Sequence, residues 1–173
     1  MTLQIKRKQG FTFVELVLVI VVLGVLALVA LPRLLDVTTD ARIAKITDIA
    51  SQMKSTITLV QNKARVSGLR PVATNPGGSA QVAFAVDFGF GISEVDFRNL
   101  CPESQAEIGD RLNFLEFMNL SLSDDISTRV NNQYTLIGYD VPSSGVPTNQ
   151  GCYVIYDSFG SPNCTVTEVT VDC

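Results

Sequence analysis

The sequence predicts an α+β fold: a long N-terminal α-helix packed on an antiparallel β-sheet of about three or four strands, with a disulfide-stabilised C-terminal region. Three observations lead to this fold class. An apolar run fills residues 11–31, a helical apolar stripe follows over residues 43–64, and three strand-like segments lie between residues 134 and 173. A long helix followed by consecutive strands is typical of a helix layered on a sheet, whereas a parallel α/β fold would alternate the two elements.

The apolar run at residues 11–31 is predicted to form a membrane-spanning helix. It contains 21 residues and a single charge, Glu15. An ideal helix of that length spans the roughly 30 Å hydrocarbon core of a bilayer. Lys6, Arg7 and Lys8 precede the run, so the positive-inside rule places the amino terminus in the cytoplasm and the rest of the chain outside. On hydropathy alone an uncleaved signal anchor is an alternative, whereas the run exceeds the apolar region of a cleaved secretory signal.

Glu15 is the unusual residue of this run. A carboxylate in a membrane helix costs about 2.5–3.5 kcal/mol at the bilayer centre, and less near the interface. The next cation along the chain is Arg33, about 27 Å further up an ideal helix. The partner of Glu15 is therefore expected to come from another chain or to be created by processing.

The residues around Glu15 resemble the type IV prepilin signature, of the type IVa class. That signature is a short basic leader ending in glycine, then phenylalanine, then glutamate four residues further on, and then an apolar stretch. The matching residues here are Lys6 to Leu16, KRKQGFTFVEL. The resemblance implies that a prepilin peptidase cleaves after Gly10 and N-methylates Phe11. It also implies that Glu15 pairs with the Phe11 ammonium of a neighbouring subunit and so fixes the register of assembly, a role that buried polar groups play elsewhere.

The chain accordingly divides into four predicted segments. Residues 1–10 form a cleaved leader peptide and residues 11–31 a transmembrane and filament-core helix. Residues 32–68 form an amphipathic stalk helix, and residues 69–173 form the globular pilin domain.

Gly24 and Pro32 mark the weakest helical stretch of the amino-terminal half. Proline lacks a backbone N–H and costs a helix about 3 kcal/mol, and glycine costs about 1 kcal/mol. A simple kink is one interpretation of this pair. The pilin resemblance implies that the stretch loses helicity when subunits pack into a fibre.

The stalk helix is predicted from one apolar stripe with alternating spacings of three and four residues. Gly68 and Pro71 mark its end. We expect the stripe to cover the sheet of the chain's own globular domain, while the basic residues between the apolar ones face solvent or an adjacent subunit. The stripe consists of Ile43, Ile46, Ala50, Met53, Ile57, Val60 and Ala64.

The globular domain is predicted to contain strands at residues 134–140, 152–156 and 165–171, separated by turn-rich segments. Alternating apolar residues over 81–90 predict a further strand. Ser104 and Glu107 have the spacing of a capping box, which predicts a short helix running to about Met118.

The amino- and carboxy-terminal parts, residues 11–66 and 134–173, also resemble the mannose-sensitive haemagglutinin (MSHA) type of pilin. Residues 72–133 have no match in this resemblance. Cys101 and Cys164 depart from the two-cysteine pattern of that subgroup. The residues that carry the resemblance are Pro32 to Asp36, Asp40 to Arg42, Gly151 to Tyr156 and Cys173.

Four cysteines beyond a membrane segment indicate two disulfides formed in an oxidising compartment. They allow three pairings, and their spacing does not select one. The subgroup resemblance implies Cys152–Cys173, which leaves Cys101–Cys164. The main alternative joins Cys152 to Cys164 and Cys101 to Cys173.

Composition argues against several other functions. The chain has no histidine, the usual general base and metal ligand, and no nucleophile with a base is visible. We therefore expect no enzymatic activity, no cofactor and no metal. From residue 71 onward the chain has three arginines and thirteen carboxylates, a net charge of −10. This negative charge disfavours nucleic-acid binding.

The resemblance implies a structural subunit that polymerises with itself into an extracellular type IV pilus used for attachment. The prepilin peptidase, the pilus assembly machinery and, before assembly, the inner membrane are its expected partners. The precursor would lie in the inner membrane with its amino terminus inside and its carboxy terminus outside. A type II secretion pseudopilin, a minor pilin and a non-polymerising, membrane-tethered binding domain are the alternatives.

Overall fold

The computed structural model describes residues 11–160 and 163–173, with the side chains of residues 28–36 also outside the description. The chain divides into two units between Asp40 and Ala41. The first helix, α1, runs from Phe13 to Val66. Its carboxy-terminal end is closed by hydrogen bonds from the Leu69 N–H to the Ala64 carbonyl and from the Gly68 N–H to the Arg65 carbonyl. Gly68 has a φ of 91°, so the helix ends in a Schellman motif with glycine at the left-handed position.

The described residues of the second unit form two antiparallel sheets and two further short helices. The helices are α2 (Gly78–Val82) and α3 (Phe114–Met118). The smaller sheet pairs β1 (Ala85–Asp87) with β2 (Ile92–Glu94). The larger sheet has four strands in sequential order, β3-β4-β5-β6. Its strands are β3 (Ser127–Val130), β4 (Tyr134–Gly138), β5 (Tyr153–Asp157) and β6 (Thr165–Val169).

The apolar stripe of α1 covers this sheet, as predicted. Ile46, Ala50 and Met53 are fully buried and share a core cluster with Ile137 of β4 and Val154 of β5. Further along the helix, the buried residues Val60 and Ala64 belong to a second cluster with β1 and the segment after β2. The predicted α+β fold, a helix packed on an antiparallel sheet with a disulfide-stabilised carboxy-terminal region, is confirmed.

Two local predictions are wrong. Residues 81–90 do not form one strand: α2 occupies the beginning of this range, and only Ala85–Asp87 is extended. The segment turns back at Gly89, which has a φ of 85°, because the chain there forms a hairpin with β2. The helix predicted from the Ser104 capping box ends at Met118 as expected, but its predicted start is wrong: α3 begins only at Phe114, and the Ser104 hydroxyl donates instead to the carbonyl of Gln133.

Candidate functional site

The amino-terminal end of α1 is organised around Glu15. Its carboxylate Oε2 accepts hydrogen bonds from both the backbone N–H and the hydroxyl of Thr12, each at 2.9 Å. In return the Thr12 hydroxyl accepts from the Glu15 backbone N–H at 3.3 Å. This is a reciprocal capping box, in which the residue before the helix and the third helical residue satisfy each other's amides. Glu15 therefore has a partner inside its own chain.

Phe11 lies immediately before this cap, and its side chain is 77% exposed. The structure thus brings Phe11, Thr12 and Glu15 together at one exposed helix end. Gly10, the other residue of the predicted cleavage junction, lies outside the described residues. Thr12 is the residue that the sequence reasoning missed, although its signal, threonine three residues before glutamate, was present.

The surface that follows the cap is apolar over its whole circumference. Thirteen large apolar side chains between Phe11 and Leu26 are each more than a third exposed. Over residues 11–27 Glu15 is the single charged side chain. Exposed apolar surface on this scale marks a site of protein or membrane contact.

The predicted membrane span is not confirmed. Among the described residues no helix is both long enough and apolar enough to cross a bilayer. The predicted span, residues 11–31, extends into residues 28–36, whose side chains are not described.

Gly24 and Pro32 both lie within α1, whose backbone is helical from Phe13 to Val66. A side chain added at Gly24 would meet no atom within 4 Å, so no close packing in this chain requires glycine there. The loss of helicity that the resemblance implies for this stretch remains a prediction about the assembled state.

Comparison with known proteins addresses the same segment. Residues 5–31 match the prokaryotic N-terminal methylation motif. This is the N-methylation motif of prokaryotic type IV pilins. The chain is also 33% identical over 75 residues to the type IV narrow pilus major component PilA5 of Thermus thermophilus. That alignment covers 43% of this chain and 65% of the relative, so it spans less than two thirds of the relative's length. No solved structure matches the chain.

The four cysteines form two disulfides in the second unit. Cys101 is bonded to Cys164, and Cys152 to Cys173, which is the pairing that the subgroup resemblance implied. Cys101 and Cys152 are buried. The two covalent loops overlap because Cys152 lies inside the loop closed by Cys101 and Cys164. Strand β5 therefore lies between Cys152 and Cys164, and β6 between Cys164 and Cys173.

The basic residues of α1 in the second unit differ in their partners. The ammonium of Lys54 lies 3.1 Å from the Glu168 carboxylate of β6. Arg42 stacks on the ring of Tyr139, with its guanidinium carbon 5.1 Å from the ring centroid. Lys63, further along the helix, is exposed and has no side-chain hydrogen bond or ion pair within residues 11–160 and 163–173.

A group of carboxylates lies beside β2. Glu94 is paired with Arg111 at 2.9 Å, and Asp96 with Arg98 at 3.1 Å. Glu103 is half-buried and forms no ion pair within the described residues. It lines a cavity of about 410 Å³. Burial, reinforced by the negative charges of Glu107 and other nearby carboxylates, raises the pKa of Glu103 to about 7.

Proposed function

We propose that the chain is a type IV pilin precursor, cut between Gly10 and Phe11, methylated at Phe11 and polymerised into an extracellular pilus. The observation that carries this proposal is the position of Glu15. Its carboxylate lies at the exposed start of an apolar helix, four residues after Phe11 of the predicted cleavage junction. The N-methylation motif over residues 5–31 supports the same processing.

Hydrolysis of the Gly10–Phe11 peptide bond would leave a carboxylate on Gly10 and an ammonium on Phe11. A prepilin peptidase would then transfer one methyl group from a sulfonium donor to that nitrogen, with loss of one proton. The resulting secondary amine still binds a proton at neutral pH, because α-amino groups have pKa values of about 7.7–8.0. The cation that Glu15 needs in an apolar environment is thereby created by the processing itself.

The capping box gives this scheme a defined starting state. Before assembly the Glu15 carboxylate is held by two hydrogen bonds from Thr12 of the same chain. In the fibre it would accept a bond from the Phe11 ammonium of a neighbouring subunit, in which donor and acceptor are both ionised, whereas the Thr12 donors are neutral. The gain favours only the subunit register that brings the two groups together.

Polymerisation would also cover the exposed apolar surface between Phe11 and Leu26. Before assembly that surface would lie in the inner membrane, with the amino terminus in the cytoplasm and the domain outside. The two disulfides fit an oxidising compartment. Other copies of the chain and the pilus assembly machinery are the proposed partners. We further propose that the pilus is of the MSHA type and acts in surface attachment.

The decisive measurement is the intact mass of protein sheared from the cell surface, with and without reductant. We expect a chain that begins at Phe11, carries one added methyl group and lacks four hydrogens until it is reduced. Retention of Met1, or absence of the chain from the sheared fraction, would contradict the proposal.

Removing the charge of Glu15 separates processing from assembly. We expect Glu15→Gln to be cleaved and methylated normally but to yield far fewer fibres, because its amide cannot pair as an anion with an ammonium. Thr12→Val is the matched variant: it removes the hydroxyl of the cap and keeps the carboxylate, so its fibre yield should stay close to that of the wild type. The proposed role fails if Glu15→Gln assembles as well as Thr12→Val.

A further inference from the structure

Phe90 forms an exposed apolar knob at the tip of the β1–β2 hairpin. Its side chain is 70% exposed. One side of its ring rests on two other phenylalanines, with centroids 5.4 Å from Phe117 and 5.9 Å from Phe88. The hairpin tip is fixed by a 2.7 Å hydrogen bond from the Gly89 N–H to the Asp87 carboxylate. The ring is therefore held in place before any partner arrives, which lowers the entropic cost of binding.

Two carboxylates belong to the elements that carry this knob and its supporting ring. Asp87 lies in the same hairpin, and Glu116, whose carboxylate accepts from Asn113 at the start of α3, precedes Phe117. Neither carboxylate forms an ion pair in the part of the chain that the structure describes. An apolar contact at Phe90 would thus be flanked by uncompensated negative charge and would favour a partner that carries a cation beside apolar groups.

A surface of that kind lies on α1 of the same chain. Leu59, Lys63 and Val66 are four and three residues apart, so they share one helix face. Leu59 is 55% exposed and Val66 is 85% exposed, and Lys63 is exposed between them without an ion partner in the described residues. We call these three residues the outer strip.

We propose that the Phe90 knob of one copy of the chain packs against the outer strip of the next copy. The ring would contact Leu59 and Val66, and Lys63 would face Asp87 and Glu116. Charge complementarity favours a second copy of the chain as the partner, because one chain carries both the Phe90 knob with its nearby carboxylates and the outer strip with Lys63. The contact joins two different surface patches, and such heterologous contacts generate open helical filaments when the rotation does not close.

This inference rests on the proposed pilin function, which it deepens by naming a contact between globular domains. Cross-linking can test it cleanly because both pairs of native cysteines are joined in disulfides and the described residues contain no free thiol. Two differently tagged copies, one carrying Phe90→Cys and the other Val66→Cys, would be expressed together. The sheared fraction would be oxidised and separated without reductant.

We expect a reducible dimer that carries both tags. The matched control replaces Val66→Cys by Val146→Cys, a valine that is 73% exposed in the loop between β4 and β5, and should give far less of the dimer. In the 90–66 pair, Lys63→Glu should lower dimer formation about tenfold, whereas Lys63→Arg should preserve it, because only the first reverses the charge.

The outcomes distinguish failure of the proposed Phe90 contact from failure of the proposed pilin function. If the cysteine variants are processed and form fibres in wild-type amounts but give no 90–66 dimer, the proposed contact is wrong and the pilin function stands. Equal dimer yields for the 90–66 and 90–146 pairs, or capture of a different protein by Phe90→Cys, would also overturn it. A chain that never reaches the sheared fraction would refute the proposed function, and the contact with it.

Discussion

Glu103 provides a test of the electrostatics of the globular domain through the pH dependence of stability. Its pKa is raised from 4.5 to about 7, first by burial and then by the charges of Glu107, Glu94 and Asp96, while Arg111 acts in the opposite direction. The folded state therefore favours the protonated carboxyl. The stabilising effect of protonation is fully present below pH 4.5 and is lost as the pH rises through about 7.

The size of the effect follows from the shift. A difference of one pKa unit corresponds to 1.36 kcal/mol, so a shift from 4.5 to about 7 sets an upper bound of about 3.4 kcal/mol. Glu103 lines an open cavity, and solvent screening reduces the effect of partly exposed charges. We therefore expect about 1–2 kcal/mol.

The perturbation is Glu103→Gln, which keeps the shape of the side chain and removes its charge. Denaturant unfolding of the full chain in detergent, with the disulfides intact, would be compared at pH 4 and pH 8. We expect wild type and variant to be about equally stable at pH 4, and the variant to be more stable by about 1–2 kcal/mol at pH 8. Asp124→Asn, at an exposed position, is the control and should show no such difference. Equal stability of Glu103→Gln and wild type at both pH values would refute the reasoning.

Two further predictions concern the core and the disulfides. Met53→Ala, at a fully buried position of α1, should lower the free energy of unfolding by about 2–5 kcal/mol, whereas Leu59→Ala on the exposed face should change it by less than about 1 kcal/mol. A loss for Met53→Ala as small as that of Leu59→Ala would place Met53 outside the core. The disulfides close loops with separations of 63 and 21 residues. Loop entropy makes the Cys101–Cys164 bond worth about 4.3 kcal/mol and the Cys152–Cys173 bond about 3.4 kcal/mol. Denaturant unfolding of the two double-alanine variants should therefore show a greater loss for the larger loop, and the reverse order would mean that local packing outweighs chain entropy.

The stalk and the sheet could be predicted because their signals are periodic. The apolar stripe of α1 came from spacing alone, and of its seven members only Ile43 is not fully in the core. Ile49 is also buried, which a single stripe does not specify, because the helix packs over a surface wider than one row. Strands β4, β5 and β6 coincide with predicted segments, since apolar and β-branched residues dominate them.

The failures have equally specific causes. Strand β3 (Ser127–Val130) was missed because it is an edge strand with a polar, largely exposed sequence. The capping box was assigned to Ser104, whereas the structure has it at Asn113 and Glu116. A spacing of three residues does not reveal whether a hydroxyl will cap a helix or bond to a distant carbonyl.

Residue spacing does not predict the disulfide pairing, because the pairing depends on which strands become neighbours in the fold. At the amino-terminal site Phe11 and Glu15 were predicted from the motif, and the role of Thr12 came only from the structure. The donors to the Glu15 carboxylate lie three residues before it in the same chain.

The Cys101–Cys164 bond has a mechanical consequence. When the chain is pulled from its two ends, the load bypasses residues 102–163 through the bond between the two sulfur atoms. At about 3.5 Å per extended residue, the force cannot extend roughly 220 Å of the contour length of this segment. Strands β3, β4 and β5 lie inside the bypassed segment. The Cys152–Cys173 bond passes load from the carboxy terminus to Cys152 as well, so β5 and β6 share it. Strands β3 and β4 stay off the loaded path, and the extension of each chain under tension is limited by covalent bonds.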